Sequence, residues 1–240
     1  MKQLVHYLTV HGSHAYGLNG PNSDLDLRGF FFQKPEDFFG LKGGPDQEEA
    51  NVFNDQGKIV RDVTVWEFRK FLKLASGSNP NILETLFTAD LDVKISGNPS
   101  ETLRKHAKDW FLSRQVEKTF GGYAHQQMVR LGKNLEKWDD AGVRKDAMHC
   151  VRLIYFMKEM LGTGNLTVRF DADKHPEKVN FMLAIRRGDV KVLPVYNWCL
   201  EEIAAARELV KDSPLPETPN HEAIEQFTFE TLKRMYGTNP

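Results

Sequence analysis

The spacing of apolar residues changes near residue 66, and this change divides the chain into two kinds of predicted structure. Before it, residues 4–10 and 24–32 are rich in apolar, β-branched and aromatic side chains and predict two strands. Residues 50–54 and 58–65 predict a β-hairpin closed by a short turn. After it, apolar residues recur three and four positions apart, which is the period of an amphipathic helix.

The second half of the chain is predicted to be mostly helical. The predicted helices cover residues 35–39, 66–76, 80–87, 101–113, 115–138, 140–161, 178–187, 195–211 and 220–236, with a candidate break at Gly121 and Gly122. Short strand segments are also expected at residues 89–95 and 166–170. Strands followed by helices predict a small α/β or α+β domain over residues 1–100 and a helical domain over residues 101–240, and α+β is the class expected for the whole chain.

Composition describes an ordinary globular chain and narrows the classes of function only slightly. The 240 residues are 40% hydrophobic, with a mean hydropathy of -0.48 and a formal net charge of -1. No apolar run reaches the roughly 18 residues of a membrane-spanning helix, so no membrane partner is expected. Cys150 and Cys199 lack metal-ligand spacing, which predicts reduced, buried thiols in a cytoplasmic protein.

Charge is distributed unevenly along the chain. Residues 101–160 carry 12 Lys and Arg against 8 Asp and Glu, a net charge of +4, whereas the first 100 residues carry 10 against 13, a net charge of -3. This pattern fits a metal site beside a phosphate-binding surface, and it fits chance equally well. It is too slight to predict a nucleic-acid-binding module.

Two aspartates at the start of the second predicted strand are the strongest candidates for chemistry. Asp24 and Asp26 are two positions apart, so their carboxylates are expected on one face of the strand. Like charges at this distance repel unless a cation lies between them. Carboxylate oxygens suit Mg²⁺ or Mn²⁺, which proteins hold through a few carboxylates together with substrate phosphates.

Other candidates lie on the neighbouring predicted strands. Gly12 and Ser13 follow the first strand, where a glycine backbone and a hydroxyl would bind a phosphate. Asp62, in a strand of mostly β-branched residues, is the candidate third carboxylate for the metal. Arg28 continues the face of Asp26, where it would either hold a triphosphate or pair with an aspartate; the sequence leaves both roles open.

Three runs of residues together resemble one family of proteins. The first is Gly12-Ser13, ten intervening residues and then Asp24-x-Asp26, which is similar to the signature of DNA polymerase beta-like nucleotidyltransferases. The second covers residues 67–72 and 79–84, and the third covers residues 145–153, followed by Gly162 and Arg169. In this order, the runs resemble the predicted nucleotidyltransferases associated with RNA repair operons.

This resemblance implies a fold and a set of roles. The fold would be a small mixed β-sheet, the polymerase-beta-like palm, followed by a helical bundle. Asp24, Asp26 and a later acid would hold the metal, and Gly12-Ser13 would cradle the phosphates. Lys145, His149 and Arg152 share one helical face by their spacing of four and three residues, which alone fits a solvated polar stripe equally well. The resemblance favours their binding a nucleotide or RNA backbone.

The predicted activity is transfer of a nucleoside monophosphate from an NTP to a hydroxyl acceptor, with release of pyrophosphate. The acceptor would be an RNA 3′ end, a protein side chain or a small molecule, and RNA leads only through the family resemblance. A nucleotide-binding regulator without catalysis is the main rival, and a sugar-nucleotide glycosyltransferase is another. The roles of His11, His14, Asn79 and Glu84 stay undecided at this stage.

Overall fold

The computed structural model of the protein describes residues 3–237, which form two compact units. The first unit contains the chain up to Phe111 together with the stretch from Pro219 onward, and the second is Leu112–Thr218. In this division, residues 101–111 and the last helix lie in the unit that contains the sheet. The predicted domain boundary at residue 100 stays a prediction.

The first unit is built on one mixed sheet of five strands. The strands are β1 (Val5–His11), β2 (Leu25–Phe31), β3 (Gln47–Phe53), β4 (Ile59–Glu67) and β5 (Val93–Ile95). Their order across the sheet is β3-β4-β2-β1-β5, and the pairing of β2 with β4 is parallel whereas the other three are antiparallel. Together with the helices, this mixed sheet confirms the predicted α+β class.

Ten α-helices are present within residues 3–237. They are α1 (Gly12–Ala15), α2 (Pro35–Phe39), α3 (Phe68–Ser76), α4 (Pro80–Leu86), α5 (Asn98–Phe111), α6 (Val116–Lys133), α7 (Ala141–Thr163), α8 (Pro176–Arg187), α9 (Val192–Leu209) and α10 (His221–Tyr236). The predicted helices correspond to these within a few residues, except α1, which replaces the predicted Gly-Ser loop. The helix α6 continues through Gly121 and Gly122 without a break. None of the described helices is both long and apolar enough to cross a membrane.

Aromatic rings make the core between the sheet and α3. Phe30 of β2 lies 5.2 Å, between ring centroids, from both Phe68 and Phe71 of α3, and Tyr7 of β1 packs edge-on against Phe71. Phe30, Phe31 and Phe32 are all buried, which confirms that this run is core. The packing of α3 fixes one end of β2, the strand that carries Asp26 and Arg28.

Polar contacts explain why α5 and α10 belong with the sheet. The guanidinium of Arg104 in α5 donates to the Tyr7 hydroxyl, to the carbonyls of Leu86 and Thr88, and to the Asp90 carboxylate. Tyr236 in α10 stacks on Phe38 at 4.1 Å, and its hydroxyl donates to a backbone carbonyl of residue 33. These partners are up to 203 residues apart in the sequence, so local patterns cannot predict the contacts between them.

The second unit is helical, with α7 packed against α6, α8 and α9. Cys150 and Cys199 are buried and unbridged in its core. The strand predicted at residues 166–170 is wrong. Leu166, Val168 and Phe170 are buried alternately as a strand pattern requires, but no strand lies within the described residues of this unit for them to pair with.

Candidate active site

Two aspartates face each other on neighbouring parallel strands. Asp26 of β2 is in register with Asp62 of β4, and His11 of β1 is in register with Asp26 on its other side. Residues opposite one another in a sheet share a face, so these three side chains form one row. Asp24 lies one residue before β2 begins, half-buried and two positions from Asp26.

Arg28 occupies the next row of the same face and contacts both aspartates. Its Nη2 donates to Asp62 Oδ2 at 2.9 Å and lies 3.7 Å from Asp26 Oδ1, while its Nη1 donates to the carbonyls of Leu27 and Asp62. The guanidinium therefore supplies the positive charge that two facing carboxylates require. Of the two roles considered for Arg28, the structure displays the ion pair; contact with a triphosphate stays a prediction.

The donor set at this row fits a hard divalent cation in its chemistry. Asp26 and Asp62 supply carboxylate oxygens from adjacent strands, which suits Mg²⁺ or Mn²⁺. Within residues 3–237, however, no three His, Cys, Asp or Glu side chains are gathered closely enough to form a metal site as they stand. Because Arg28 pairs with Asp62 Oδ2, a cation at this row would either bind the other Asp62 oxygen or displace the guanidinium.

The turn after β1 presses its backbone against Asp26. Gly12 has a φ of +63°, and a Cβ placed on it would lie 2.0 Å from Asp26 Oδ2. A side chain at residue 12 would be strained and would have to displace the Asp26 carboxylate, which lies directly against the Gly12 backbone. Ser13 follows as the second residue of α1, and its carbonyl accepts the Leu18 N–H at 2.9 Å. The two predicted phosphate-binding residues thus lie beside a predicted metal ligand.

A buried polar cluster lies behind this turn. Glu84 of α4 is fully buried, accepts the Tyr16 hydroxyl at 2.5 Å, and lies 3.5 Å from His11 Nε2. The sequence left His11 and Glu84 undecided, although a carboxylate among the apolar positions of α4 was the available signal. Asn79 acts as the N-cap of α4, with its side chain accepting the Ile82 N–H. The cluster joins α4 to His11 at the end of β1, and Gly12 is the next residue in the chain.

The other three predicted site residues lie together on α7, in the helical unit. Burial, followed by the positive charges of Arg152, Lys145 and Arg130, lowers the pKa of His149 to about 3. The imidazole is therefore neutral near pH 7 and offers one donor and one acceptor. Arg152 is buried with its guanidinium 5.4 Å from the centre of the Phe156 ring, whereas Lys145 is exposed. Arg130 of α6 is a member of this basic cluster that sequence analysis missed.

Two known proteins give alignments with this chain. YcgL, an uncharacterised protein of Bacillus subtilis (strain 168), is 32% identical over 99 residues, which are 41% of this chain and 36% of that protein. The match thus spans little more than a third of the relative's length. A crystal structure of a nucleotidyltransferase-like protein from Exiguobacterium sibiricum 255-15 aligns at 6% identity with a TM-score of 0.32, over 97% of this chain and 75% of that one. A TM-score of 0.32 is too low to establish that the two proteins share a fold.

A family model gives a match over nearly the whole chain. The model is that of RlaP, described as the RNA repair pathway DNA polymerase beta family, and it matches residues 2–228. The matched region includes the Gly12-Ser13 turn, Asp24, Asp26 and Asp62, and the basic face of α7. It confirms the resemblance that the three motif runs indicated. The chain belongs to the RlaP family, the RNA repair pathway DNA polymerase beta family.

Proposed function

We propose that this protein is a metal-dependent nucleotidyltransferase, which transfers a nucleoside monophosphate from an NTP to a hydroxyl acceptor and releases pyrophosphate. One observation carries the proposal: β2 and β4 place Asp26 and Asp62 side by side, with the Gly12 backbone against Asp26. Membership of a polymerase beta family supports a nucleoside triphosphate as the donor of the transferred group. The two lines of support are independent, since one is geometric and the other is a sequence match.

In this proposal, Asp24, Asp26 and Asp62 hold Mg²⁺ or Mn²⁺, and Arg28 exchanges its partner when the nucleotide enters. When bound, the cation would neutralise charge on the triphosphate and on the leaving pyrophosphate. Arg28, released from Asp62, would be free to pair with a phosphate oxygen, which planar guanidinium groups do well. The Gly12 N–H and the Ser13 hydroxyl bind phosphate oxygens beside Asp26.

The transfer step exchanges a phosphoanhydride bond of the NTP for a phosphoester bond to the acceptor. The acceptor hydroxyl oxygen forms a bond to the α-phosphorus, and the bond from that phosphorus to the oxygen bridging to the β-phosphate breaks. Pyrophosphate leaves with the electron pair of that bond, and Asp62 accepts the hydroxyl proton. Lys145 and Arg152 bind the triphosphate or an RNA backbone, and neutral His149 donates a hydrogen bond; this part of the proposal rests on the family resemblance.

The acceptor we propose first is an RNA 3′ end, because the family is described by its association with RNA repair. A protein side chain or a small molecule would use the same chemistry at phosphorus. A cytoplasmic location, consistent with the unbridged Cys150 and Cys199, is part of the same proposal.

A non-catalytic nucleotide-binding regulator is the second candidate, and one observation favours it. Arg28 pairs with Asp62 and lies close to Asp26, so the aspartates already have a cationic partner from the protein itself. In a regulator, nucleotide binding would break this pair without any transfer following. The two candidates differ in whether the α-phosphate label reaches an acceptor.

The test is incubation of the full chain with each α-labelled NTP, Mg²⁺ or Mn²⁺, and RNA, protein or no acceptor in separate reactions. We expect label on one acceptor class, equimolar pyrophosphate, and loss of both in the Asp24→Ala and Asp26→Ala variants. Labelling that survives both substitutions would refute the assigned site. Nucleotide binding without turnover under every condition would favour the regulator.

A further inference from the structure

The helical unit contains a cavity that the proposed transferase chemistry does not use. It has a volume of about 460 Å³ and lies among α7, α8 and the segment between them. Ligand cavities for small molecules typically measure roughly 300–1,000 Å³. Among the described residues, its walls include three cationic side chains and two aromatic rings: Lys158, Arg169, Lys178, Tyr155 and Phe170.

The two aromatic rings of the cavity wall, Tyr155 and Phe170, are held in place by packing against other aromatic side chains. Phe170 stacks on Phe156, with the two rings 5.3 Å apart and within 8° of parallel. Tyr155 packs edge-on against Phe170 at 6.3 Å and against Trp198 at 5.3 Å. Burial raises the pKa of Tyr155 to about 12, so its hydroxyl stays protonated and is a neutral donor. A flat apolar group placed in this cavity would meet rings whose positions are already fixed.

The cationic side chains of the cavity give it an anion-binding wall. Lys158 pairs with Glu202 of α9, and Glu159 is the carboxylate among the described lining residues. Lys178 lies with its amine 5.3 Å from the centre of the Tyr155 ring, and Arg169 directly precedes Phe170 in the chain and lines the same cavity. Arg169 and Lys178 are thus placed next to the two rings, so an anion and a ring system are accommodated together.

We infer that this cavity binds a nucleoside 5′-phosphate unit, with the base against Tyr155 and Phe170 and the phosphate on Arg169 and Lys178. The unit would be either a free nucleotide or the terminal nucleotide of a single RNA strand, since both present the same chemistry. The inference does not depend on the proposed transfer reaction, because binding here uses residues of the helical unit alone.

The test is calorimetric titration of the full chain in EDTA, which removes the divalent cation that the proposed active site requires. The probes are AMP, the 5′-phosphorylated trinucleotide pApApA, and inorganic phosphate. We expect AMP to bind more tightly than phosphate. Arg169→Gln and Lys178→Gln should each weaken AMP binding by about tenfold or more, because hydrogen bonds to charged groups contribute roughly that factor.

Two control variants locate the binding. Lys174→Gln removes an exposed cation from the same segment outside the cavity wall, and Asp26→Asn alters the proposed active site; both should keep wild-type affinity. Tighter binding of pApApA than of AMP would identify a strand end as the occupant, and the reverse would identify a free nucleotide.

The inference is overturned if AMP does not bind, if phosphate binds as tightly as AMP, or if Arg169→Gln and Lys178→Gln leave affinity unchanged. Loss of AMP binding in Asp26→Asn alone would likewise overturn it and place the nucleotide at the sheet. Melting curves establish that each variant is folded. If Arg169→Gln does not fold, Arg169→Lys, which keeps the charge, provides a second variant at that position. Since no turnover is measured, failure here is separate from failure of the transferase proposal.

Discussion

At the scale of single residues, the site depends on close contacts that permit little substitution. Gly12 contacts Asp26 with its backbone, Arg28 pairs with Asp62, and Glu84 binds Tyr16 behind them. Each contact joins different parts of the chain: Gly12 and Asp26 join the start of α1 to β2, Arg28 and Asp62 join β2 to β4, and Glu84 and Tyr16 join α4 to the residue after α1. Three predictions test the first two contacts and the half-buried histidine of α7.

The first concerns Gly12→Ala. The added methyl group would meet Asp26 Oδ2 at 2.0 Å, in addition to the strain of a φ of +63°. Gly57→Ala is the matched control, because Gly57 has a φ of +73° with nothing within 4 Å of the added methyl group. Urea denaturation should show a loss of about 1 kcal/mol for Gly57→Ala from backbone strain. Gly12→Ala should lose about 1–3 kcal/mol more, and equal losses would contradict the contact with Asp26.

The second concerns Arg28→Gln. Without the guanidinium, Asp26 and Asp62 face each other uncompensated, so the thermal midpoint should fall and millimolar Mn²⁺ should restore it more than it raises the wild-type midpoint. Arg61→Gln, an exposed change beside Asp62 on the other face of β4, should respond to Mn²⁺ as the wild type does. An Mn²⁺ response no larger in Arg28→Gln than in Arg61→Gln would argue against the aspartates as metal ligands.

The third concerns pH and His149. Its pKa is lowered to about 3 by burial and neighbouring cations, from 6.5 in an exposed histidine. The unfolded chain therefore takes up this proton first as the pH falls, so stability is fully present above pH 6.5 and is lost progressively between pH 6.5 and 3. His149→Gln should lose less stability than the wild type over that range in melting experiments. His125→Gln, an exposed change on α6, should follow the wild type; identical pH profiles for all three proteins would contradict the assignment.

At the scale of elements, local sequence signals determine where helices begin. Glu67 ends β4 and caps α3, its side chain accepting the Lys70 N–H at 3.1 Å and pairing with Arg69 at 3.0 Å. Asn79 caps α4 and Asp140 caps α7 in the same way. These caps explain why the helices near Phe68, Pro80 and Ala141 could be predicted within a few residues of their observed starts.

The cap of α3 gives the element-scale prediction. Glu67→Ala should cost about 1–2 kcal/mol of unfolding free energy in urea titrations, because the Lys70 N–H loses its acceptor. Glu67→Gln keeps an acceptor oxygen and loses only the charge that Arg69 pairs with, so it should lose clearly less. If the two variants are equally destabilised, the carboxylate charge, and not the cap, is what stabilises the start of α3.

Strand pairing shows where local signals end. Leu166, Val168 and Phe170 are buried at alternate positions, as in a strand. However, no strand in the described part of the helical unit lies beside them. In contrast, residues 93–95 lie beside β1 at the edge of the sheet, pair with it and form β5. The same pattern thus gives a strand only where a partner edge exists, and that depends on the tertiary fold.

At the scale of the whole molecule, the motif spacing predicted the family, and the sheet register supplied what spacing could not. That Asp26 and Asp62 are direct neighbours follows from β4 inserting parallel to β2, with the β3–β4 hairpin at one side. The pairing of Arg28 with Asp62, and the return of α10 to the sheet through Tyr236, likewise join residues far apart in sequence. No local pattern encodes these contacts, whereas the three motif runs already identified the RlaP family.

The central claim is that the row containing Asp26 and Asp62 carries out nucleotidyl transfer. The most direct measurement is the rate of pyrophosphate release from a mixture of the four NTPs with Mn²⁺ and mixed RNA, for the wild type, Asp26→Asn and Asp55→Asn. Asp55 lies in the exposed turn between β3 and β4, so its variant matches the charge change outside the row. We predict release by the wild type and Asp55→Asn at similar rates, and a loss of about 100-fold or more in Asp26→Asn, as for removal of a group that stabilises transition-state charge. Equal release by Asp26→Asn and the wild type would contradict the claim.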